Sequence, residues 1–397
     1  MKLARRAPWY AVPLGIFLLT RLVDVALIVL LARDQIPASA LPAHMPMPTL
    51  VDPASYFHVI ANWDGQWYRQ IATHGYPTHV PVVDGVLQQN AWAFYPAYPA
   101  LVRLVMFTGA SFGVSASIVS LSCGAAAMCL LYSILLRRCG QFVAGLTVLA
   151  GCCAPAAPIF QAAYTESLAL LLVLLALWAL ERRQHVVLAL AGVALALTRP
   201  IAPALLLVVL AYLVVRWRGR DSVPWADGER RGLVGAAATI AVATLVWPVT
   251  TAVVLGSRDA YFQTQRAWAT VAGNPPDTWL QSLAHGAPPA RWLVVLVVVA
   301  ALATVAVKAR GWPLPIRIWT VSYPLLILAV TPPTASVIRF STLVGAAWWP
   351  APGVGGRVTS TPVRAAILTG VIVVGFLLQW WWLRTYFVID QYSHGHP

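Results

Sequence analysis

The chain has 397 residues, of which 59% are hydrophobic and only 10% charged, with a mean hydropathy of +0.73. No water-soluble core of this size absorbs so much apolar surface, so the composition excludes a soluble globular protein and requires a lipid solvent. The formal net charge of +14 is compatible with nucleic-acid binding or with membrane topology, and its distribution along the chain decides for topology, with no nucleic-acid partner.

At about 20 apolar residues per crossing, the sequence predicts an all-α integral membrane protein with about 11 spans. They are Trp9 to Ala32, Ser115 to Leu136, Phe142 to Gln161, Tyr164 to Leu180, Val186 to Thr198, Ile201 to Val215, Leu233 to Leu255, Trp292 to Val307, Ile316 to Val330, Ala335 to Trp349 and Ala365 to Leu383. The first follows Lys2, Arg5 and Arg6, as a signal peptide would. Its length, the internal Arg21 and Asp24 and the lack of a small-residue cleavage site predict a retained helix instead. With the N-terminus in the cytoplasm, the short loops "RRCGQ", "ERRQH" and "KARGW" all fall on the cytoplasmic side, where 17 of the 27 basic residues collect. That is the positive-inside bias. The chain then reads as one polytopic domain, 1–397, with two outward loops, 33–90 and 256–291, and no internal repeat. The short loops and the Ala, Val and Arg bias point to a bacterial plasma membrane.

The first outer loop contains "ANWDGQWYRQIATHGYP", residues 61–77. Upstream, Asp52 and Pro53 form a helix start, since aspartate caps free amides and proline suits the first helical position. Gly75 provides the stop. Ile60, Trp63, Trp67 and Ile71 recur at spacings of three and four, which predicts one amphipathic helix lying at the membrane surface. On it Asp64 and Tyr68 sit one turn apart, rotated about 100° from the tryptophan stripe, facing a cavity rather than lipid. The next piece, "NAWAFYPAYPALVRLV", is a second interfacial element carrying Trp92, Tyr95 and Tyr98, with Arg103 below.

The five cysteines, Cys123, Cys129, Cys139, Cys152 and Cys153, lie in spans or on a cytoplasmic loop, so neither a disulfide framework nor metal spacing is indicated. No cofactor is expected, and whether a divalent metal assists is left open. Ionisable residues at membrane depth cost several kcal/mol and are functional suspects by default. Arg21 and Asp24, three apart, would neutralise each other. Glu166 opens a span in "QAAYTESLALLL", Arg199 lies in the hairpin "ALTRPIAP", and Arg339 in "SVIRFS". Apart from the first pair, all belong to the outer side.

The succession "WDGQWYRQIATHGY", "AFYPAYPALVRLV", "AAYTESLALLLVLLALWALERR" and "ALTRPIAP" resembles the PIG-V-like family of membrane mannosyltransferases, within the GT-C class of polyprenyl-phosphate-sugar-dependent glycosyltransferases. The resemblance runs from Trp9 to about Pro200, and the sequence departs from the family's "FFPLYP" in reading "FYPAYP". It implies a GT-C-like bundle with a helical first extracytoplasmic loop, a catalytic-type acid matched by Asp64, a polyprenyl-phosphate-linked mannose donor and a lipid or glycan acceptor. It carries no donor-lipid residue in the C-terminal half.

The residue types fit that chemistry independently. An acceptor hydroxyl is a weak nucleophile, and a carboxylate that takes its proton as the anomeric carbon develops oxocarbenium character assists it. Asp64 is the candidate base, and a single base suits direct displacement with inversion. The departing lipid phosphate needs cations more than an acid, and Arg199, Arg339 and Arg103 are the candidates. For each, interfacial snorkelling is the alternative. Trp63, Trp67, Tyr68, Trp92, Tyr95, Tyr98 and Glu166 are candidates for binding sugar or acceptor, with the interfacial aromatic belt as their alternative role. A transporter or lipid flippase would place its polar groups near the midplane of interrupted helices and commonly shows repeats. Neither feature is visible in the sequence.

Overall fold

A computed structural model describes residues 8–37, 40, 54–84, 86–220, 222, 224–268, 313–331, 334–348 and 358–390. Four helical stretches are long and apolar enough to cross a membrane, Ala11–Asp34, Phe112–Cys152, Glu229–Leu255 and Thr361–Phe387, each with a mean hydropathy near or above 1.9. The chain is a helical integral membrane protein. Among the described residues the only strands are a two-residue antiparallel pair in the first loop, β1 (Val82–Val83) and β2 (Val86–Leu87).

In chain order the helices are α1 (Ala11–Leu31), α2 (Tyr56–Val59), α3 (Asp64–His74), α4 (Ala97–Met106), α5 (Phe112–Cys152), α6 (Glu166–Glu181), α7 (His185–Ala196), α8 (Ala202–Arg218), α9 (Glu229–Leu255), α10 (Ala260–Ala267), α11 (Leu314–Val330), α12 (Ser336–Phe340) and α13 (Thr361–Trp382). Packing runs α1 on α5, α5 on α6, α6 on α7, α7 on α9 and α8 on α11. The predicted span 292–307, most of the second loop and the proposed cap Asp52 lie outside the described residues.

α5 corresponds to two predicted spans. Gly140, at φ 77° and ψ 171°, breaks it, and Gly151 of the second arm packs against the Met128 side chain of the first, so the arms run antiparallel. The second arm stops at Cys152, not at Gln161 as hydropathy predicted. Pro155 and Pro158 remove two backbone donors there, and residues 153–165 form an irregular segment, buried except at Pro155, that includes a 3₁₀ turn, Ala157–Gln161.

Non-helical backbone at membrane depth survives only where protein supplies its partners, and here it does. Arg21 Nη2 donates to Cys152 O at 2.7 Å and Nη1 donates to Ala157 O. Gln379 Nε2 donates to Cys152 O at 3.0 Å and Ala154 O at 3.2 Å, and Ser120 Oγ donates to Ala162 O at 2.6 Å. Arg21 also pairs with Asp24 at 2.7 Å, so the expected neutral pair forms and, in addition, ties the break in place.

Two further sequence expectations are corrected. The single amphipathic helix from Asp52 to Gly75 is two helices, α2 and α3, separated by residues 60–63. The stop at Gly75 holds, with its N–H bonded to Ile71 O. The chain breaks because Ile60 O accepts Ala163 N at 2.9 Å and Asn62 is drawn into side-chain bonds. The predicted span Ala335 to Trp349 is the short α12 followed by a 3₁₀ run, Ser341–Trp348. There Tyr323 Oη donates to Phe340 O at 3.1 Å and Trp319 Nε1 donates to Leu343 O at 3.0 Å, so a partner helix captures carbonyls that an α-helix would use itself.

Candidate active site

Asp64 is the first residue of α3, where the helix dipole favours an acid. Glu166 likewise opens α6 after Thr165. Arg199 sits in the turn between α7 and α8, its N–H bonded to Leu195 O at 3.0 Å, and Arg339 lies on α12. Four separate parts of the chain therefore bring two carboxylates and two guanidiniums together.

The charges alternate along a chain of contacts. Arg339 Nη1 donates to Asp64 Oδ2 at 2.5 Å. Arg339 Nε faces Glu166 Oε1 at 3.3 Å, and Arg199 Nη1 donates to that same oxygen at 2.6 Å and to Thr165 Oγ1 at 2.8 Å. Both arginines lie over the Phe340 ring, at 5.0 Å for Arg199 and 5.1 Å for Arg339, and Arg339 also lies 5.0 Å from the Tyr164 ring centre. Side-chain exposure grades along the chain, from 0% for Glu166 and 5% for Arg339 to 12% for Arg199 and 26% for Asp64. Glu166 is thus the buried hub, and Asp64 and Arg199 are the more exposed ends. Oε2 of Glu166 is buried without a hydrogen-bond partner among the described residues.

Tyr68 stands one turn after Asp64 and is buried against Phe94 and Tyr98, with ring centres 5.2 Å from each. Burial, with the Asp64 charge adding, pushes its phenol well above the usual range, so Tyr68 stays a neutral hydroxyl. Trp67 stacks on Phe94 at 5.9 Å and meets Trp268 edge-on at 5.2 Å, forming an aromatic wall beside the acid.

The other candidates are placed differently. Tyr98 is fully buried, its hydroxyl 2.9 Å from Ser120 Oγ, and serves the core. Trp63 is buried, its indole bonded to the Phe387 carbonyl. Trp92 and Tyr95 belong to a second aromatic cluster with Tyr76 and Trp247, where Trp92 stacks on Trp247 at 5.3 Å and Tyr95 Oη meets Tyr261 Oη at 2.8 Å. Arg103 is exposed on α4, and no ion pair joins it to the others among the described residues. Glu166 lies behind the arginines and presents no surface to a sugar.

Sequence reasoning missed Tyr164, Thr165 and Phe340, although "AAYTES" and "SVIRFS" were in view. The available signal was adjacency, since each flanks an embedded charge. No group of three or more metal-ligating side chains occurs among the described residues.

No family model matches the sequence, and no curated protein matches it. Solved structures do match. ArnT from Cupriavidus metallidurans bound to undecaprenyl phosphate has a TM-score of 0.50 at 16% identity, covering 91% of this chain and 63% of that one. The same protein in the apo state has a TM-score of 0.52 at 15% identity, with 91% and 63% covered. The Archaeoglobus fulgidus oligosaccharyltransferase in complex with Zn and sulfate has a TM-score of 0.48 at 12% identity, covering 96% of this chain and 53% of that one. The chain spans about 63% of the length of the ArnT it matches. At these identities the likeness is one of fold, and the fold is a GT-C-like membrane bundle.

Proposed function

We propose that this chain is a membrane glycosyltransferase that moves a sugar from a polyprenyl-phosphate donor to an extracytoplasmic lipid or glycan acceptor, with inversion at the anomeric carbon. The observation that carries the reading is the alternating chain Asp64–Arg339–Glu166–Arg199, in which a partly exposed carboxylate pairs with one guanidinium and a second guanidinium lies beyond it, joined through Glu166. That is what displacement of a lipid phosphate by a hydroxyl requires. Asp64 accepts the acceptor proton, the new C–O bond forms at the anomeric carbon, and the bond to the phosphate oxygen breaks. Arg199 and Arg339 take up the phosphate charge as it grows. Glu166, fully buried, is not placed as a second nucleophile, which favours one direct displacement over a covalent intermediate. A neighbour in fold binds undecaprenyl phosphate, which supports the donor class, and the PIG-V-like segments favour mannose.

The test is sugar transfer by the purified protein in lipid nanodiscs, supplied with polyprenyl-phosphate donors carrying mannose and other sugars, with released polyprenyl phosphate and product both measured. Absence of transfer from every donor would reject the reading. Within it, Arg199→Ala should lower turnover strongly. Arg199→Lys should recover only part, because an ammonium is a point charge and lacks the planar fork. Full activity in the alanine variant removes Arg199 from the clamp.

The side of the membrane is tested separately. Thr78 is exposed in the loop that follows α3, whereas Cys139 lies beside the Gly140 turn at the α6 end that carries Glu181, since Arg138 pairs with Glu181. A cysteine at Thr78 should react with an impermeant thiol reagent added outside intact cells, and Cys139 should not. The opposite labelling pattern would place Asp64 on the cytoplasmic side.

A further inference from the structure

Two rare backbone features meet immediately before Asp64. Trp63 has φ 56° and ψ −115°, a region that residues with a Cβ seldom adopt and that persists only where the surroundings enforce it. The segment Leu383–Phe387, after α13, is a π-helical turn, a form that occurs mostly as isolated turns and often at functional sites. The carbonyl of Phe387, at the end of that turn, receives Trp63 Nε1–H at 2.9 Å and Asn62 Nδ2 at 3.1 Å.

The same loop is held on its other flanks. Asn62 Nδ2 also donates to Gln35 Oε1 at 2.7 Å, and Tyr164 Oη donates to Asn62 O at 3.0 Å. Gly65 N–H bonds to Asn62 O at 3.0 Å. Gly65 is closely packed as well, since a Cβ there would lie 3.3 Å from Ile60 O and 3.4 Å from Ala163 Cβ, so the neighbours would have to give by a few tenths of an ångström.

A helix that continued through Trp63 would rotate Asp64 to another azimuth and give the indole to the apolar stripe, as the spacing of Trp63 and Trp67 suggests. The observed backbone instead turns Trp63 inward, to 3% exposure, and starts a new helix with Asp64 beside Arg339. We infer that Trp63 and Asn62, latched to the Phe387 carbonyl, are positioning residues that set the aim of Asp64, and that the end of α13 is thereby part of the catalytic scaffold. The inference rests on the reading of Asp64 as the base. Trp63 acts through the backbone and does not touch the reacting atoms.

Trp63→Phe deletes one donor and keeps the aromatic bulk, and Asn62→Ala deletes the other. Trp247→Phe is the comparison, because Trp247 is equally buried and its indole donates to a backbone carbonyl, Trp92 O, at 3.2 Å in the second aromatic cluster. Transfer kinetics and thermal unfolding are measured on the full-length protein in nanodiscs. Trp63→Phe and Asn62→Ala should each lower kcat about 10-fold or more, with KM for the donor lipid within about twofold of wild type. Trp247→Phe should lose a similar amount of thermal stability while keeping kcat within about twofold. If one latch variant fails to fold, the other carries the test.

A kcat within twofold of wild type in a folded latch variant would overturn the inference, as would an equal fall in kcat in Trp63→Phe and Trp247→Phe, which would mean general packing. Asp64→Asn, run beside them, separates the two readings. If it turns over normally the base assignment fails, and if it is impaired while the latch variants are not, only the latch fails.

Discussion

Asp64→Asn is expected to lower turnover by roughly 100- to 10,000-fold, the usual range for loss of a general base, while KM for the donor lipid stays near its original value. Asparagine is nearly isosteric and its Oδ1 still accepts a hydrogen bond, so the 2.5 Å contact with Arg339 Nη1 can persist in a neutral form. Arg339 also keeps Glu166 Oε1 at 3.3 Å, so the clamp retains one of its two anions. What is lost is the ability to take a proton from an acceptor hydroxyl, which appears in kcat and not in donor binding. Steady-state kinetics with donor and acceptor varied separately make the measurement. Near wild-type turnover would remove Asp64 from the chemistry and leave it a helix-opening acid paired with an arginine.

Glu166→Gln is expected to damage the fold more than the binding surface. Glu166 Oε1 is shared by Arg199 at 2.6 Å and Arg339 at 3.3 Å, and the side chain is 0% exposed. The amide keeps the shape and removes the charge that lets two guanidiniums lie this close. Removing one member of a buried ionic group typically costs about 3–5 kcal/mol, because the partners remain buried and unpaired, and that is a large fraction of a total stability of about 5–15 kcal/mol. The folded yield and the thermal midpoint in detergent should both fall.

Glu166→Gln combined with Arg199→Gln rebalances the charge, leaving Asp64 with Arg339, and should recover most of the stability without recovering transfer. A Glu166→Gln protein as stable and as active as the parent would show that the arginines do not depend on it.

Several features were determined by the sequence alone. The helices that hydropathy detects, α1, α6 to α9, α11 and α13, stand within a few residues of their expected positions, because each is one continuous apolar run bounded by polar or helix-breaking residues. The residue types at "WDG", "YTES", "TRP" and "IRF" are polar exceptions in apolar surroundings, and that contrast alone marks Asp64, Glu166, Arg199 and Arg339 as functional suspects. Local rules also place Glu166 at the start of α6 and the stop of α3 at Gly75.

Only the tertiary structure decided that these four residues meet, since the partners of Arg339 stand 275 residues away at Asp64 and at the start of α6 at Glu166. It alone set Tyr98 into the core, gathered Trp92 and Tyr95 with Trp247 and left Arg103 exposed outside the site. An interfacial aromatic has the same local signature in all these settings. It also broke the helix at Trp63, where the spacing of Ile60, Trp63, Trp67 and Ile71 called for continuity. The carbonyl of Phe387 and the amide of Ala163 hold the chain there, and hydrogen bonds between residues a hundred or more positions apart outweigh a helical preference worth less than about 1 kcal/mol per residue.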